Sequence, residues 1–521
     1  MKAGILRWLL LLAFIGTMGA GSSRGQTPDA PKTPDLQQLK EKLQQLEQEL
    51  QELKGQISAA EQAQKAQAAQ PPAAEQAQKP PAAAVPPTEQ AQKAPVPPPP
   101  PAAQQPQTPP LTPVAIMEEE HNPENAPPAD TIGPNGAPIA KPATKNTLNF
   151  YGFTMMDTGY EFGQSDPDWY DVVRPTKLDA YPNEFAPSGK VFFSVRQSRF
   201  GVKSTTATPF GDLNTIFEFE LFGTGVDAGQ TTFRLRHAYG ELGQFGAGQT
   251  NSTFMDIDVF PNSIEYWGPN GMVFFRNLQF RWMPVRGRSR VTLALERPGA
   301  SADQGVYQDR IELQGVKPQF QWPDLTGHGR LGRDWGYVQL AGIVRSIKWV
   351  DTNASDTDKG INLSGSAVGW GLNFSSNLNL SKKDVGKFQL VYGKGIENYM
   401  NDAPEDIGIK NNFSNPHQPV LGVPLPVLGI VAFVDHTWSP KFSSSAGYSM
   451  ENITNSDGQL PSAFHQGHYA LGNLLFYPVK DVTVGGEFQF GRRVNNSDGF
   501  NVNDYRIQFS FKYNFGKVFG F

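Results

Sequence analysis

The sequence predicts an all-β transmembrane barrel of about 16 antiparallel strands, preceded by an N-terminal coiled-coil helix and a disordered Pro/Ala/Gln-rich linker. Three observations carry this. Near the C-terminus, "DYRIQFSFKYNF" places Tyr505, Ile507, Phe509, Phe511, Tyr513 and Phe515 on one parity, with Arg506, Gln508, Ser510, Lys512 and Asn514 on the other. Successive strand side chains point to opposite faces, so this stretch has one oily and one wet face. Farther upstream, leucines follow a strict 3-4 spacing, and a long low-complexity tract separates them from the alternating region.

The chain opens on "MKAGILRWLLLLAFIGTMGA", with Lys2 and Arg7 before a short apolar run and small residues after it. Residues 1–20 therefore read as a secretory signal peptide. No other segment holds about 18 consecutive apolar residues, the length a transmembrane helix needs. Cysteine is absent, which excludes a disulfide framework and cysteine-ligated metal centres. A net charge of −5 without any polybasic run gives no sign of nucleic acid or of membrane-surface binding through a basic segment.

Residues 33–57 form the helical region. Leu36, Leu43, Leu50 and Ile57 take heptad position a, and Leu39, Leu46 and Leu53 take position d. The g-to-e pairs Asp35/Lys40, Lys42/Glu47 and Glu49/Lys54 are all of opposite sign, which favours a parallel coiled coil between identical chains. Dimer and trimer both satisfy leucine at both positions. Residues 58–146 are almost wholly Ala, Pro, Gln, Glu and Lys, with "EQAQK" at 61–65, 75–79 and 89–93. Such a tract cannot bury a core and reads as a disordered tether.

Residues 147–521 repeat the opening alternation. In "LNTIFEFELF", Phe217, Phe219 and Leu221 alternate with Glu218 and Glu220, and "GWGLNFSSNLNL" sets Trp370, Leu372 and Phe374 against Asn373 and Ser375. The run from Thr231 to Gln249 is long enough for two strands broken near Gly243. Roughly fifteen segments are clear, and single-chain bacterial barrels have even strand numbers, giving sixteen. Lipid-facing and lumen-facing residues then alternate, and closure leaves no unpaired edge in the bilayer. A barrel of that size is wide enough for an aqueous channel.

The wet face is rich in arginine. Arg196, Arg199 and Lys203 lie on one strand, Arg234 and Arg236 on another, and Arg276 and Arg281 on a third. Guanidiniums facing lipid cost roughly 2–4 kcal/mol each near mid-bilayer, so they belong in the lumen as candidate anion contacts. Arg196 has the opposite parity to Arg199, so a bulge or an end position intervenes between them, or one of them lies near the rim. Ion pairing with Glu218, Glu220, Asp157 or Glu296 is the competing use for these side chains. The segment 250–272 is long and carries Asp256, Asp258 and Glu265. It is expected to fold into the barrel as a constriction loop, its carboxylates facing the arginines. A second long loop, 396–422, reads as a surface cap. No GxSxG or HExxH motif occurs, and Asp435 and His436 are adjacent on a strand with opposite parity, so no catalytic site, metal site or cofactor is expected.

These residues also resemble a known family. "DWYDVVRPTKL", "FFSVRQSRFGVKS", "FEFELFGTGVDAGQTTFRLRHAYGE", "EYWGPNGM" and "NDYRIQFSFKYNF" are similar to the DcaP-like porins of Gram-negative outer membranes. The resemblance implies a sixteen-stranded homotrimer passing small anions, dicarboxylates in particular, through an arginine-lined channel. It further implies an outer-membrane barrel with coiled coil and linker in the periplasm. Its partners would be small anionic solutes, outer-membrane lipid and further copies of the chain, with no nucleic acid. The alternative is a structural envelope protein whose barrel anchors the periplasmic coiled coil.

Overall fold

The computed structural model describes residues 146–308, 310–354 and 360–521. The signal peptide, the coiled coil of 33–57 and the linker, up to residue 145, lie outside the described residues.

Twenty strands follow in order: β1 (Thr147–Glu161), β2 (Lys190–Ser194), β3 (Arg199–Thr208), β4 (Gly211–Phe222), β5 (Thr231–Leu242), β6 (Phe245–Asn251), β7 (Arg276–Val285), β8 (Arg290–Glu296), β9 (Val316–Pro318) and β10 (Asp324–Arg333). Then come β11 (Gly336–Asp351), β12 (Gly365–Asn379), β13 (Asp384–Lys394), β14 (Ile407–Asn411), β15 (Val420–Pro424), β16 (Pro426–Ser439), β17 (Phe442–Ile453), β18 (Phe464–Phe476), β19 (Val482–Asn495) and β20 (Asn501–Gly520). β14 and β15 form a separate hairpin, and the other eighteen share one antiparallel sheet. β2 and β3 both pair with β1, and β9 and β10 both pair with β11, so each couple is one interrupted strand. Sixteen barrel positions result. β1 and β20 close the ring from Thr147↔Gly520 to Glu161↔Arg506.

The break between β2 and β3 answers the parity problem: Ser198 turns back to the Val195 carbonyl, so Arg196 and Arg199 both reach the interior. The long run after Thr231 breaks at Gly243, whose φ of 59° suits a tight turn. Short connections at 209–210, 243–244, 334–335 and 440–441 lie at one end together with Thr147 of β1 and Gly520 of β20, and the long loops lie at the other. In bacterial barrels the short turns face the periplasm and the long loops the exterior.

Burial is inverted relative to a soluble protein. On β20, Tyr505, Phe509 and Tyr513 are exposed, while Arg506, Gln508 and Lys512 are buried. Lipid is the solvent for the oily face, and the wet face lines the interior. No helix among the described residues is long and apolar enough to cross a membrane.

The interior is shaped by the third long loop, 252–275. Phe254, Met255, Val259, Phe260, Met272 and Val273 pack on inward-facing Ile343, Val391, Val427, Val431, Phe433 and Tyr469. Polar contacts fix the same seating. Asn373 Nδ2 donates to the Phe254 carbonyl (2.8 Å), the Gly271 N–H donates to Ser449 Oγ (2.9 Å), and the Ile264 N–H donates to Glu487 (3.0 Å). The loop therefore lines the β11–β19 side of the lumen. The expectation of a surface cap over 396–422 needs correcting. Ile396, Glu397, Tyr399, Met400, Asn401, Asp402 and Asp406 are buried, and Met400 bridges to Val273 of the third loop. Apolar Ile396, Tyr399 and Met400 draw this stretch inward, and only the β14–β15 hairpin and its tip stay outside that packing.

Candidate anion-contacting wall

The β3–β7 side of the lumen carries Arg199, Arg234, Arg236 and Arg276. Consecutive strands β3, β4 and β5 bring them together through register: Arg199 is the Cα partner of Glu220, which is the partner of Arg234. An irregularity opposite Glu218 and Phe219 leaves Arg236 as the extra residue on β5. That shift lets Arg234 and Arg236 both reach the same carboxylates.

Glu220 is the hub. Arg234 Nε lies 2.8 Å from its carboxylate, Arg236 Nη1 2.7 Å, Arg199 Nη2 3.7 Å and Arg276 Nη2 3.8 Å. Glu218 bonds Arg236, accepts the Tyr151 hydroxyl at 2.8 Å and lies 3.8 Å from Arg199 Nε. Four guanidiniums thus surround two carboxylates. Arg234 also reaches the Tyr266 hydroxyl of the third loop (2.5 Å), and Tyr266 stacks on Phe222 with ring centroids 4.1 Å apart. The loop meets the basic wall at this aromatic pair.

The other named cations occupy different settings. Lys203 lies over the Tyr151 ring at 4.5 Å. Arg281, half-buried, donates to the Asn251 carbonyl (2.7 Å) and Gln279 (3.1 Å) and lies over Tyr239, with no ion pair among the described residues. Arg196 is fully enclosed. It donates to Asp171 (2.7 Å) and the Gly223 carbonyl (2.9 Å), tying the first long loop, 162–189, to the wall. It does not join the four-arginine cluster.

The loop carboxylates are placed differently from expectation. Asp256 and Asp258 each lie 2.5 Å from Arg330 of β10, and Asp258 lies 4.0 Å from Arg290. Glu265 forms no ion pair with an arginine among the described residues. It accepts backbone N–H groups from Val173 (3.1 Å), Trp267 (3.0 Å) and Gly268 (2.5 Å), and the Tyr469 hydroxyl at 3.1 Å. Burial pushes the Glu265 carboxyl up to about 7, against the pull of its backbone donors. Loop geometry decides this: the turn at 265–268 wraps its amides round its own carboxylate.

Sequence reasoning missed Arg330 and the deep pairing of Arg345 with Asp324 (3.0 Å) and Asp406 (2.8 Å). Arg330 shares parity with buried Thr326 and Asp324, a signal that "DLTGHGRLGR" contained. Asp435 pairs with Lys387 (3.0 Å) and His436 with Asp384 (2.6 Å), on opposite faces of β16. Among the described residues, no group of three or more His, Asp or Glu side chains is placed to hold a metal ion.

The profile of the DcaP outer membrane protein family matches residues 132–515. The chain belongs to that family. Among solved structures, the outer membrane channel DcaP of Acinetobacter baumannii is similar at a TM-score of 0.59 and 19% identity, covering 72% of this chain and 98% of that one. The anion-selective porin from Comamonas acidovorans gives a TM-score of 0.44 at 10% identity, covering 71% of this chain and all of that one. Curated protein sequences give no match. At these identities the solved structures show the fold alone, and membership of the DcaP family makes this an outer-membrane channel protein.

Proposed function

We propose that this DcaP-family channel passes small anionic solutes, dicarboxylates in particular, by passive diffusion along the β3–β8 wall, without catalysis or cofactor. The observation that carries the reading is the convergence of Arg199, Arg234, Arg236 and Arg276 on Glu218 and Glu220, beside half-buried Arg281. Positive charge in excess on a low-dielectric wall raises local anion concentration. The guanidinium fork matches carboxylate geometry. Asp256, Asp258 and Glu265 would narrow the lumen by holding the third loop in place, not by facing the four-arginine cluster. The working form would be a homotrimer, with coiled coil and linker in the periplasm.

The deciding experiment is the reversal potential of the purified protein in a planar bilayer under a salt gradient. A value of anion-selective sign, with current blocked by a dicarboxylate, supports the reading. Cation selectivity refutes the arginine path, and no conductance at all favours a barrel that serves as an envelope anchor.

A further inference from the structure

Strand pairing assembles a basic patch on the outer face of the barrel, at the long-loop end, from residues far apart in sequence. Arg297 continues β8, donating its backbone N–H to the Leu278 carbonyl (2.8 Å). Leu295 is exposed and Glu296 buried, so the alternation turns Arg297 outward, where it is exposed. Lys317 on β9 is the partner of Val350 on β11, and Lys348 lies two residues before Val350 on the same face. Val344 of β11 pairs with Trp370 of β12, which pairs with Lys394 of β13. In the β11 register Lys394 sits level with Val344, Lys348 at its own height and Lys317 level with Val350. The pairs Glu296↔Asp324 and Leu325↔Val344 bring Arg297 level with Ser346. Four cations thus lie on one outward face, spread over six residues of the β11 register, about 20 Å along the strand.

Their surroundings are one-sided. Lys348 Nζ donates to Gln321 (3.3 Å), and none of the four makes an ion pair with a carboxylate among the described residues. The neighbouring acids Glu296, Asp324 and Asp351 are buried on the inward parity. On the outward face, exposed Leu295, Leu325, Val344 and Trp370 lie level with Lys394, and exposed Tyr392 lies two residues farther toward the membrane centre.

We propose that this arc binds a phosphate-bearing lipid headgroup of the outer leaflet. Ammonium and guanidinium groups at headgroup height attract anionic lipid, and the arginine fork can take a phosphate bidentately. Aromatic rings at the same height belong to the interfacial girdle, and the apolar face below receives acyl chains. The patch is convex and spread over several strands, which suits a headgroup with more than one phosphate attached to a membrane better than a single free anion.

The test uses the full-length protein in neutral detergent, titrated with a bis-phosphorylated, hexa-acylated lipid A and with phosphatidylcholine, and read by native mass spectrometry. The wild type is expected to retain the phosphorylated lipid selectively. The variant R297Q/K317Q/K348Q/K394Q is expected to lose roughly tenfold or more in affinity. R492Q, which alters an outward arginine bonded to Asn501 on the far side of the barrel, is expected to bind as the wild type does. Unchanged conductance of the fourfold variant verifies that its barrel is closed. Equal binding by the fourfold variant, or an equal loss in R492Q, overturns the proposal. Displacement of the lipid by millimolar inorganic phosphate would assign the patch to free anions instead.

Discussion

Arg174 of the first long loop places its Nε 2.7 Å from Asp402 Oδ1 of the sixth long loop (395–425), although 228 residues separate them. The guanidinium is packed between the rings of Trp169 and Trp267, 4.2 and 3.9 Å from their centroids. Asp402 also accepts the Thr176 N–H (3.0 Å) and hydroxyl (2.6 Å). One carboxylate therefore fastens the first loop to the sixth, while Trp267 brings in the third.

Removing that carboxylate should release the first loop. D402N leaves a buried guanidinium without its counter-charge, which typically costs about 3–5 kcal/mol when a buried pair is broken. The barrel hydrogen bonds are untouched, so the effect should stay local. Limited trypsin digestion is expected to cut after Lys177 several-fold faster in D402N than in the wild type, with the same folded barrel by circular dichroism. An unchanged digestion rate would show that Asp402 does not hold the loop.

The arginines divide into those that brace and those that can meet solute. Glu220 touches four guanidiniums, so E220Q uncovers buried positive charge and should destabilise the barrel by about 3–5 kcal/mol. Arg281 is half-buried and, among the described residues, bonds neutral oxygens alone. R281Q should change stability by less than about 1 kcal/mol while shifting the reversal potential toward cation selectivity. Denaturant unfolding and bilayer recordings on the two variants check this division. A strongly destabilised R281Q would undo it.

The loop turn at 265–268 predicts a pH dependence. The Glu265 carboxyl rises from its ordinary 4.5 to about 7 in the docked loop, chiefly through burial. Docking therefore favours the protonated form. Its contribution is fully present below about pH 4.5 and is lost as pH rises through about 7. Hydrogen-exchange protection of the Trp267 and Gly268 amides, corrected for intrinsic rates, should fall between pH 5 and pH 8 on the order of the shift. E265Q should abolish that fall. Protection that instead grows with pH in the wild type would contradict the assignment.

What the sequence carried and what it hid follow from the range of the forces involved. Strand parity is local, so the oily face of β20, the break at Gly243 and the interruption between Arg196 and Arg199 were all readable. The Arg199–Glu220–Arg234 ladder was readable too, because consecutive strands pair. Which charges meet across the lumen was not, since a loop path decides it. Asp256 reaches Arg330, 74 residues on, and Glu265 turns to its own backbone. The buried stretch from Ile396 to Asp406 reads as polar enough for a surface cap, because the partners of Asp402 and Asp406 are the distant Arg174 and Arg345.

The third loop's seating makes a last prediction through a single methyl group. At Gly271, an added Cβ would lie 2.1 Å from the Met450 carbonyl oxygen and 2.9 Å from the Ile430 nitrogen. Both are wall backbone atoms that cannot swing aside. G271A must therefore lift the loop off β16 and β17 toward the basic wall. Overpacking of this kind costs typically about 1–3 kcal/mol. Gly472, on β18 with nothing within 4 Å of its Cβ position, is the matched control and should tolerate alanine within about 0.5 kcal/mol. Single-channel conductance should drop in G271A and stay at the wild-type value in G472A. Equal conductance in G271A would mean that the loop backbone does not bound the conducting path.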